Sequence, residues 1–529
     1  MKSRAAALAV AAILAGAVLV LPNHPSALGW QALRVLPLEL PVLLLGLLAT
    51  GSRRAASALA AGLVLLVALK LADIATFAAF ARSFDPVADL HLVTAGLQLL
   101  AGSIGAAGAA LAAIAALAAL LLLGIGLSAG LRCWARAGRS LPGRARAAAG
   151  AAALAAAALC VIDLRGAPAD PPGTAFSTRL AAAHLRDARR SRAALSEFRA
   201  AAAADPWQAR DGAFGGLAGR DVAVVFVESY GRAAFDNPLY AARHRRTMAA
   251  GAAALQAAGL QIRSGWLASP VQGGQSWLAH GTLASGLTLS GQLRYGALLK
   301  SPRLTLFDLA REAGYATLAV APAITMPWPE GPELGFDKVL AAADLGYAGP
   351  PFDWVTMPDQ YTLAAFDRLA PRDRPLMAEI ALISSHAPWT PVAEMLPWEA
   401  VGDGRAFAAM AAAGPAPREV WADRDRVRDH YGRALDYALQ AVLSWAALPR
   451  ARVPLLIVLG DHQPAGFVAQ GRGPDVPVHL IGPPEVLALF DGWGWTPGPE
   501  PAPDLPAWPM AAFRDRFLAA TGAGGDGGS

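Results

Sequence analysis

The sequence predicts an α/β fold behind a helical membrane domain: about five spans, then an extracytoplasmic α/β sandwich with a mostly parallel sheet. Three observations carry this. Hydrophobic residues make up 55% of the 529-residue chain, too many for a soluble domain of that size, and they concentrate before residue 165. From residue 212 onward, short apolar runs alternate with amphipathic stretches, which is the order of a layered sheet-and-helix domain. Arg and Lys of the first part fall in alternate loops, which orients it in a bilayer.

The membrane part, residues 1–163, reads as spans at Ala5–Leu21, Leu36–Gly51, Ala56–Phe80, Ala106–Leu131 and Ala147–Val161, each close to a bilayer core in length. Lys2 and Arg4, then Arg53 and Arg54, then Arg132, Arg136, Arg139, Arg144 and Arg146 mark the cytoplasmic loops, so the chain from Asp163 on lies outside. A basic start followed by an apolar run also describes a signal peptide. No small-x-small cleavage site follows it, so the first span is expected to stay. The apolar stretch from Leu90 to Gly102 is too short to cross and suits the outer interface. Lys70 and Asp73, three apart inside the third span, are expected to pair with each other.

Residues 164–211 form a linker. Within it Arg179, Arg186, Arg189, Arg190 and Arg192 alternate with Leu180, Leu185, Leu195 and Phe198, a basic amphipathic pattern suited to anionic headgroups. The catalytic-domain candidate, 212–495, alternates strands at 222–227, 260–266, 316–321, 376–383, 453–459 and 476–481 with helices at 238–257, 276–285, 303–313, 361–369 and 424–447. Residues 496–529 read as a C-terminal extension with a disordered Gly-rich tail. The net charge of +5 comes from Arg clustered at the membrane borders, not from a stripe that would track phosphates, so nucleic acid is not an expected partner. Both cysteines, Cys133 and Cys160, belong to the membrane part, so the exterior domain has neither disulfide nor thiolate site. A metal there would take oxygen and nitrogen ligands.

The chemistry-bearing residues sit at strand ends and at one helix start. VAVVFV (222–227) runs into Glu228, and VPLLIVLG (453–460) runs into Asp461 and His462, the edge where open α/β sheets collect ligands. QGGQSWLAH (272–280) is a Gly-rich turn feeding a helix that opens on Ser276. A hydroxyl there serves either as an N-cap or as a nucleophile near the positive helix end. Ser385 and His386 end a further apolar strand in LISSHAPW.

The order ESYGR, GGQSWLAHGTLASGL, SSHAPW, GDHQP and DVPVHLIG behind apolar spans resembles the membrane-anchored branch of the alkaline phosphatase and sulfatase superfamily, in particular the lipoteichoic acid synthase-like phosphoglycerol transferases. The resemblance implies an alkaline phosphatase-like fold, with Glu228, Asp461 and His462 as ligands of a divalent cation, Mn or Zn and alternatively Mg. It makes Ser276 both nucleophile and ligand, His386 a binder of the substrate phosphate, and Asp359 (in MPDQYTL) and His280 residues near the substrate. The lipoteichoic acid synthases carry Thr at the position of Ser276 and an acid at that of His280. Sulfatases that mature a formylglycine need Pro two and Arg four residues after the modified residue, where this chain has Leu278 and His280. The phosphoethanolamine transferases commonly have exterior disulfides.

The function expected on this basis is transfer of a phosphate-linked group, phosphoglycerol from a membrane phospholipid, through Ser276 to an extracytoplasmic glycan or lipid at a bacterial inner membrane. A sulfatase-like phosphodiesterase or sulfuric ester hydrolase is the alternative. A catalytically silent membrane sensor would not need the intact set Glu228, Ser276, Asp461 and His462.

Overall fold

The computed structural model describes residues 2–29, 36–80, 82–166, 173–208, 212–471 and 473–522. The chain divides into two compact units, Met1–Leu195 and Ser196–Ser529. The first is helical: α1 (Lys2–Val20), α2 (Glu39–Thr50), α3 (Arg53–Phe80), α4 (His91–Arg139), α5 (Gly143–Leu164) and the start of α6 (Phe176–Ala203). Ala15, Leu47, Ala56, Leu63, Leu127 and Leu131 pack α1 to α4 together. Gly105, at φ 79° and ψ 156°, kinks α4.

Among the described residues three helices are long and apolar enough to cross a membrane: Arg53–Phe80, Ile104–Arg139 and Gly143–Leu164. The expectation of five spans narrows accordingly. The 12 residues of α2 rise about 18 Å against a hydrocarbon core of about 30 Å.

Lys70 and Asp73 do not pair with each other. The Lys70 ammonium donates to the Val18 and Leu19 carbonyls at 3.0 and 2.9 Å and to Ser177 Oγ at 3.0 Å. Asp73 accepts from Asn23 Nδ2 at 2.8 Å and from the Phe84 amide at 2.9 Å, and it meets His184 Nε2 at 3.2 Å. Glu39 accepts from the amide and hydroxyl of Thr178 at 2.8 and 3.1 Å. Buried charges in an apolar helical unit persist only when satisfied, and here much of their satisfaction comes from the first part of α6. That segment is therefore bonded to the helices of its own unit through Ser177, Thr178 and His184, and not only through its apolar face.

The second unit is built on a nine-stranded sheet: β1 (Val222–Val227), β2 (Gln261–Ala268), β3 (Ala316–Ala321), β4 (Lys338–Ala341), β5 (Leu376–Leu382), β6 (Leu455–Gly460), β7 (Asp475–Gly482), β8 (Thr496–Pro497) and β9 (Trp508–Pro509). Its order is β4-β3-β5-β1-β6-β7-β2-β8, with β9 beside β2. The sheet is mixed. β4, β3, β5, β1 and β6 are parallel, whereas β7 runs antiparallel to β6 and to β2. Among the described residues between β6 and β7 the helix is the four-residue Gly466–Ala469, not the long covering helix usual between parallel neighbours.

All six residues of β1 are buried, and they alternate between two cores. Ala223, Val225 and Val227 face helices Pro238–Ala257, Asp359–Leu369 and Arg424–Ala446, while Val222, Val224 and Phe226 face helices Ser276–Ser285 and Leu306–Glu312. Strand runs this apolar belong to sheets covered on both sides. Helix Ala512–Thr521 joins the second core through Phe513, Phe517 and Leu518, so the described part of the C-terminal extension is packed. The Gly-rich tail expected to be disordered lies, from residue 523 on, outside the described residues.

Candidate active site

Strand register brings the site together. Val227 pairs with Leu382 of β5 on one side and with Gly460 of β6 on the other. The next residues of three adjacent parallel strands, Glu228, Ile383 and Asp461, therefore leave the sheet side by side at its carboxyl edge. Gly460 is required there, because a Cβ at this position would lie 1.7 Å from the Tyr230 carbonyl oxygen. Ser229 adopts φ 56°, a left-handed conformation uncommon for a residue with a side chain, and so turns its amide onto Asp461 Oδ1 at 2.8 Å. The His462 amide donates to the same oxygen at 2.7 Å. Asp461 Oδ2 is left facing His462 Nε2 at 3.7 Å.

Ser276 enters from the other side. Gly273, Gly274 and Gln275 all have positive φ, and helix Ser276–Ser285 starts directly after them. Ser276 makes no capping bond; as the first helical residue it donates from Oγ to Glu228 Oε2 at 3.1 Å, and Oγ lies 3.2 Å from His462 Nε2. The capping alternative is thereby excluded, and the hydroxyl sits at the positive end of a ten-residue helix. Glu228, Asp461 and His462 each offer a ligand atom within 4.8 Å of the others, and all three are buried. His462 Nδ1 lies 2.8 Å from the Gln463 carbonyl, which places its proton there and turns the Nε2 lone pair toward Ser276 and the carboxylates. Two carboxylates, an imidazole nitrogen and a hydroxyl in a buried cluster fit a divalent cation.

The charges agree with that fit. Without a cation His462 is protonated; burial acts to raise the Glu228 carboxyl, but the charge of that ring and of His386 and the hydrogen bond from Ser229 outweigh it and bring the group to about 2. Asp461 is pushed up to about 6, by burial first and by the Glu228 charge second. The two carboxylates share one buried cluster, and ionising both there calls for a cation. Metal content, measured by elemental analysis after equilibration at each pH, is expected to be full above pH 7. It should fall as the pH drops through about 6, where a proton takes the place of the metal on Asp461. Without metal, the raised Asp461 group contributes stability that is lost as pH rises from its unfolded value through about 6, so the gap in melting temperature between metal-loaded and stripped protein should widen over that range.

Ser276, Glu228 and Asp461 open onto a cavity of about 510 Å³ that His280 and His386 also line. His386 Nδ1 lies 2.5 Å from the Ala387 carbonyl, and its ring stacks on Trp354 at 4.0 Å. Asp359 does not line the cavity. It is fully buried, its Oδ1 accepts the Ile383 and Ser384 amides at 2.8 and 2.9 Å, and burial pushes its carboxyl up to about 6. Asp359 thus holds the loop that presents His386.

Sequence reasoning missed Glu379, which lines the same cavity and binds His280 Nδ1 at 3.0 Å. The signal was present in the sequence: Glu379 is the one charged residue in the apolar strand LMAEIAL. Trp277, Trp328 and Trp354 also line the cavity, and nothing in their local sequence marks them for it.

A doubly covered α/β sheet thus gathers a hydroxyl, two carboxylates and an imidazole at its carboxyl edge. Residues 223–475 match the sulfatase family model. The matched stretch runs from β1 to the start of β7 and holds Glu228, Ser276, Asp461 and His462. No curated protein matches the chain. Among solved structures the chain is similar to the lipoteichoic acid synthase LtaP from Listeria monocytogenes, at 11% identity and a TM-score of 0.34, over 54% of this chain and 70% of that one. It is also similar to the periplasmic domain of EptC from Escherichia coli in complex with Zn, at 15% identity and a TM-score of 0.36, over 60% and 85%. The phosphoglycerol transferase GacH from Streptococcus pyogenes, in complex with sn-glycerol-1-phosphate, is similar at 12% identity and a TM-score of 0.33, over 62% and 91%.

Proposed function

We propose that the protein is a membrane-bound phosphotransferase that takes a phosphate-linked group, phosphoglycerol from an anionic phospholipid, onto Ser276 and passes it to a glycan or lipid outside the membrane. The observation that carries this reading is Ser276 Oγ at hydrogen-bond distance from both Glu228 and His462, at a helix N-terminus, in a chain whose other unit has helices of membrane-spanning length. Glu228, Asp461, His462 and Ser276 would hold a divalent cation, Mn or Zn and alternatively Mg. When bound, the cation supplies a lowered serine pKa and charge neutralisation at the phosphoryl group.

The protein's own residues do the rest. Ser276 Oγ attacks phosphorus; the bond to the lipid alcohol breaks, the proton lost from the serine hydroxyl is balanced by one taken up by the departing diacylglycerol oxygen, and the group is held as a serine phosphodiester. An acceptor hydroxyl then attacks the same phosphorus and releases Ser276. His386 binds a phosphoryl oxygen, and Asp359 positions His386 through the Ile383 and Ser384 amides. The helix N-terminus favours the negative charge that develops beside it.

On this reading α1 and α2 complete a five-helix membrane domain in an inner membrane, with the catalytic unit outside. Arg186, Arg189, Arg190 and Arg192 on α6 are exposed, and each Arg near an anionic surface contributes about 1 kcal/mol of attraction. Full-length protein in phosphatidylglycerol vesicles is expected to release diacylglycerol. A detached unit beginning at Ser196, where the second compact unit starts, should keep its metal and cleave soluble phosphodiesters but lose most of the lipid activity. Equal rates for both forms on soluble esters, with phosphatidylglycerol left intact by both, would favour the hydrolase alternative.

A further inference from the structure

Glu379 has no part in the steps above, yet it lies in the middle of β5 between Ala378 and Ile380 and is only 7% exposed. A carboxylate in a central apolar strand is costly unless compensated. Its compensation is His280, whose Nδ1 lies 3.0 Å from Glu379 Oε1. His280 stands one turn after Ser276 on the same helix, so both side chains project from one face. Its ring stacks on Phe226 with centroids 3.8 Å apart and planes 13° from parallel. Ring plane and Nδ1 are thus both held, whereas Nε2 finds no protein partner among the described residues. His280 and Glu379 line the cavity that Ser276 opens onto.

A hydroxyl group suits that nitrogen, because it can donate to a neutral Nε2 and accept from a charged one. A second anionic group, beyond the phosphate held at Ser276, does not suit the cavity. Its charged lining residues are Glu228, Glu330, Glu379 and Asp461, and no Lys or Arg is among the described residues that line it. An ammonium group would have to compete with His280 for Glu379.

We propose that His280 and Glu379 read the headgroup of the transferred phosphate and select an uncharged, hydroxyl-bearing one of the polyol class. This rests on the reading of the site as one that moves phosphodiester groups through Ser276. His280 makes the contact, and Glu379 is a positioning residue that acts through the His280 ring.

The test compares two soluble diesters with the same leaving group, p-nitrophenyl glycerol phosphate and methyl p-nitrophenyl phosphate, on purified full-length protein. The measured quantity is the ratio of their kcat/KM values, with metal content followed in each variant. In the native protein the glycerol ester is expected to be favoured at least about tenfold, the discrimination one good hydrogen bond to a substrate hydroxyl supplies. Glu379→Ala and His280→Ala should bring the ratio close to one. Glu379→Gln, whose amide oxygen still accepts from Nδ1–H, should retain most of it. A native ratio near one, a ratio unchanged in Glu379→Ala, or a Gln variant that fails as completely as Ala would overturn the proposal. If the native protein cleaves neither diester, the phosphodiester reading of the site is what fails, and the headgroup proposal falls with it.

Discussion

Ser276→Ala is expected to abolish turnover, with a loss on the order of 10⁴-fold or more on any ester the native protein accepts, because among the described residues no other serine or threonine hydroxyl at the cluster also lines the cavity where the proposed covalent intermediate would form. Ser229 is the nearest competitor, but its Oγ is donated to Glu228 Oε1 at 2.8 Å and it lies buried in the turn after β1. Mass spectrometry gives the sharper readout. Native protein quenched during turnover should carry the transferred group on the peptide containing Ser276, and the Ala variant should carry none. The substitution removes one hydroxyl at a half-buried position, so the fold and the three remaining ligand side chains should persist. Residual activity within about tenfold of native would mean that the group is passed directly to its acceptor and that Ser276 is only a ligand.

Asp461→Ala should empty the metal site and reduce activity by a comparable factor, and its effect can be separated into two parts. One oxygen of Asp461 accepts the Ser229 and His462 amides, and the other faces the cluster. Ala removes the charge and also strands two buried amides, each at a cost of about 1–3 kcal/mol. Asp461→Asn keeps an oxygen for both amides and removes only the charge. The Asn variant is therefore expected to melt close to the metal-free native protein yet bind no metal, while the Ala variant should melt lower. Retention of a full equivalent of metal by Asp461→Asn, measured by elemental analysis, would place the cation elsewhere.

Much of the site was legible because its residues are announced locally. Glu228 and Asp461 directly follow the runs VAVVFV and LLIVLG, and an uninterrupted apolar run has little alternative to a doubly covered strand. The same local logic placed helix Pro238–Ala257, which opens on proline, and the strands β1 and β3. It failed for β4 and β9, of four and two residues, whose pairing depends on a neighbouring strand already being in place. It also missed the antiparallel half of the sheet, since strand direction depends on how the connecting loop returns and not on the composition of the strand.

By itself, then, the sequence determined which stretches bury themselves as strands or apolar helices and which polar residues stand at their ends, because hydrophobic periodicity and chain breaks act over a few residues. Only the tertiary structure decided whether Ser276 caps its helix or faces Glu228 and His462. It likewise decided that Lys70 and Asp73 bond separate partners, that Asp359 holds the Ile383 and Ser384 amides, and that Glu379 meets His280. Each of these depends on the register of β5 against β1 or on the packing of one helix against another. A side chain's partner is set by whichever group of opposite polarity the fold brings within about 3 Å, and no local sequence pattern carries that distance.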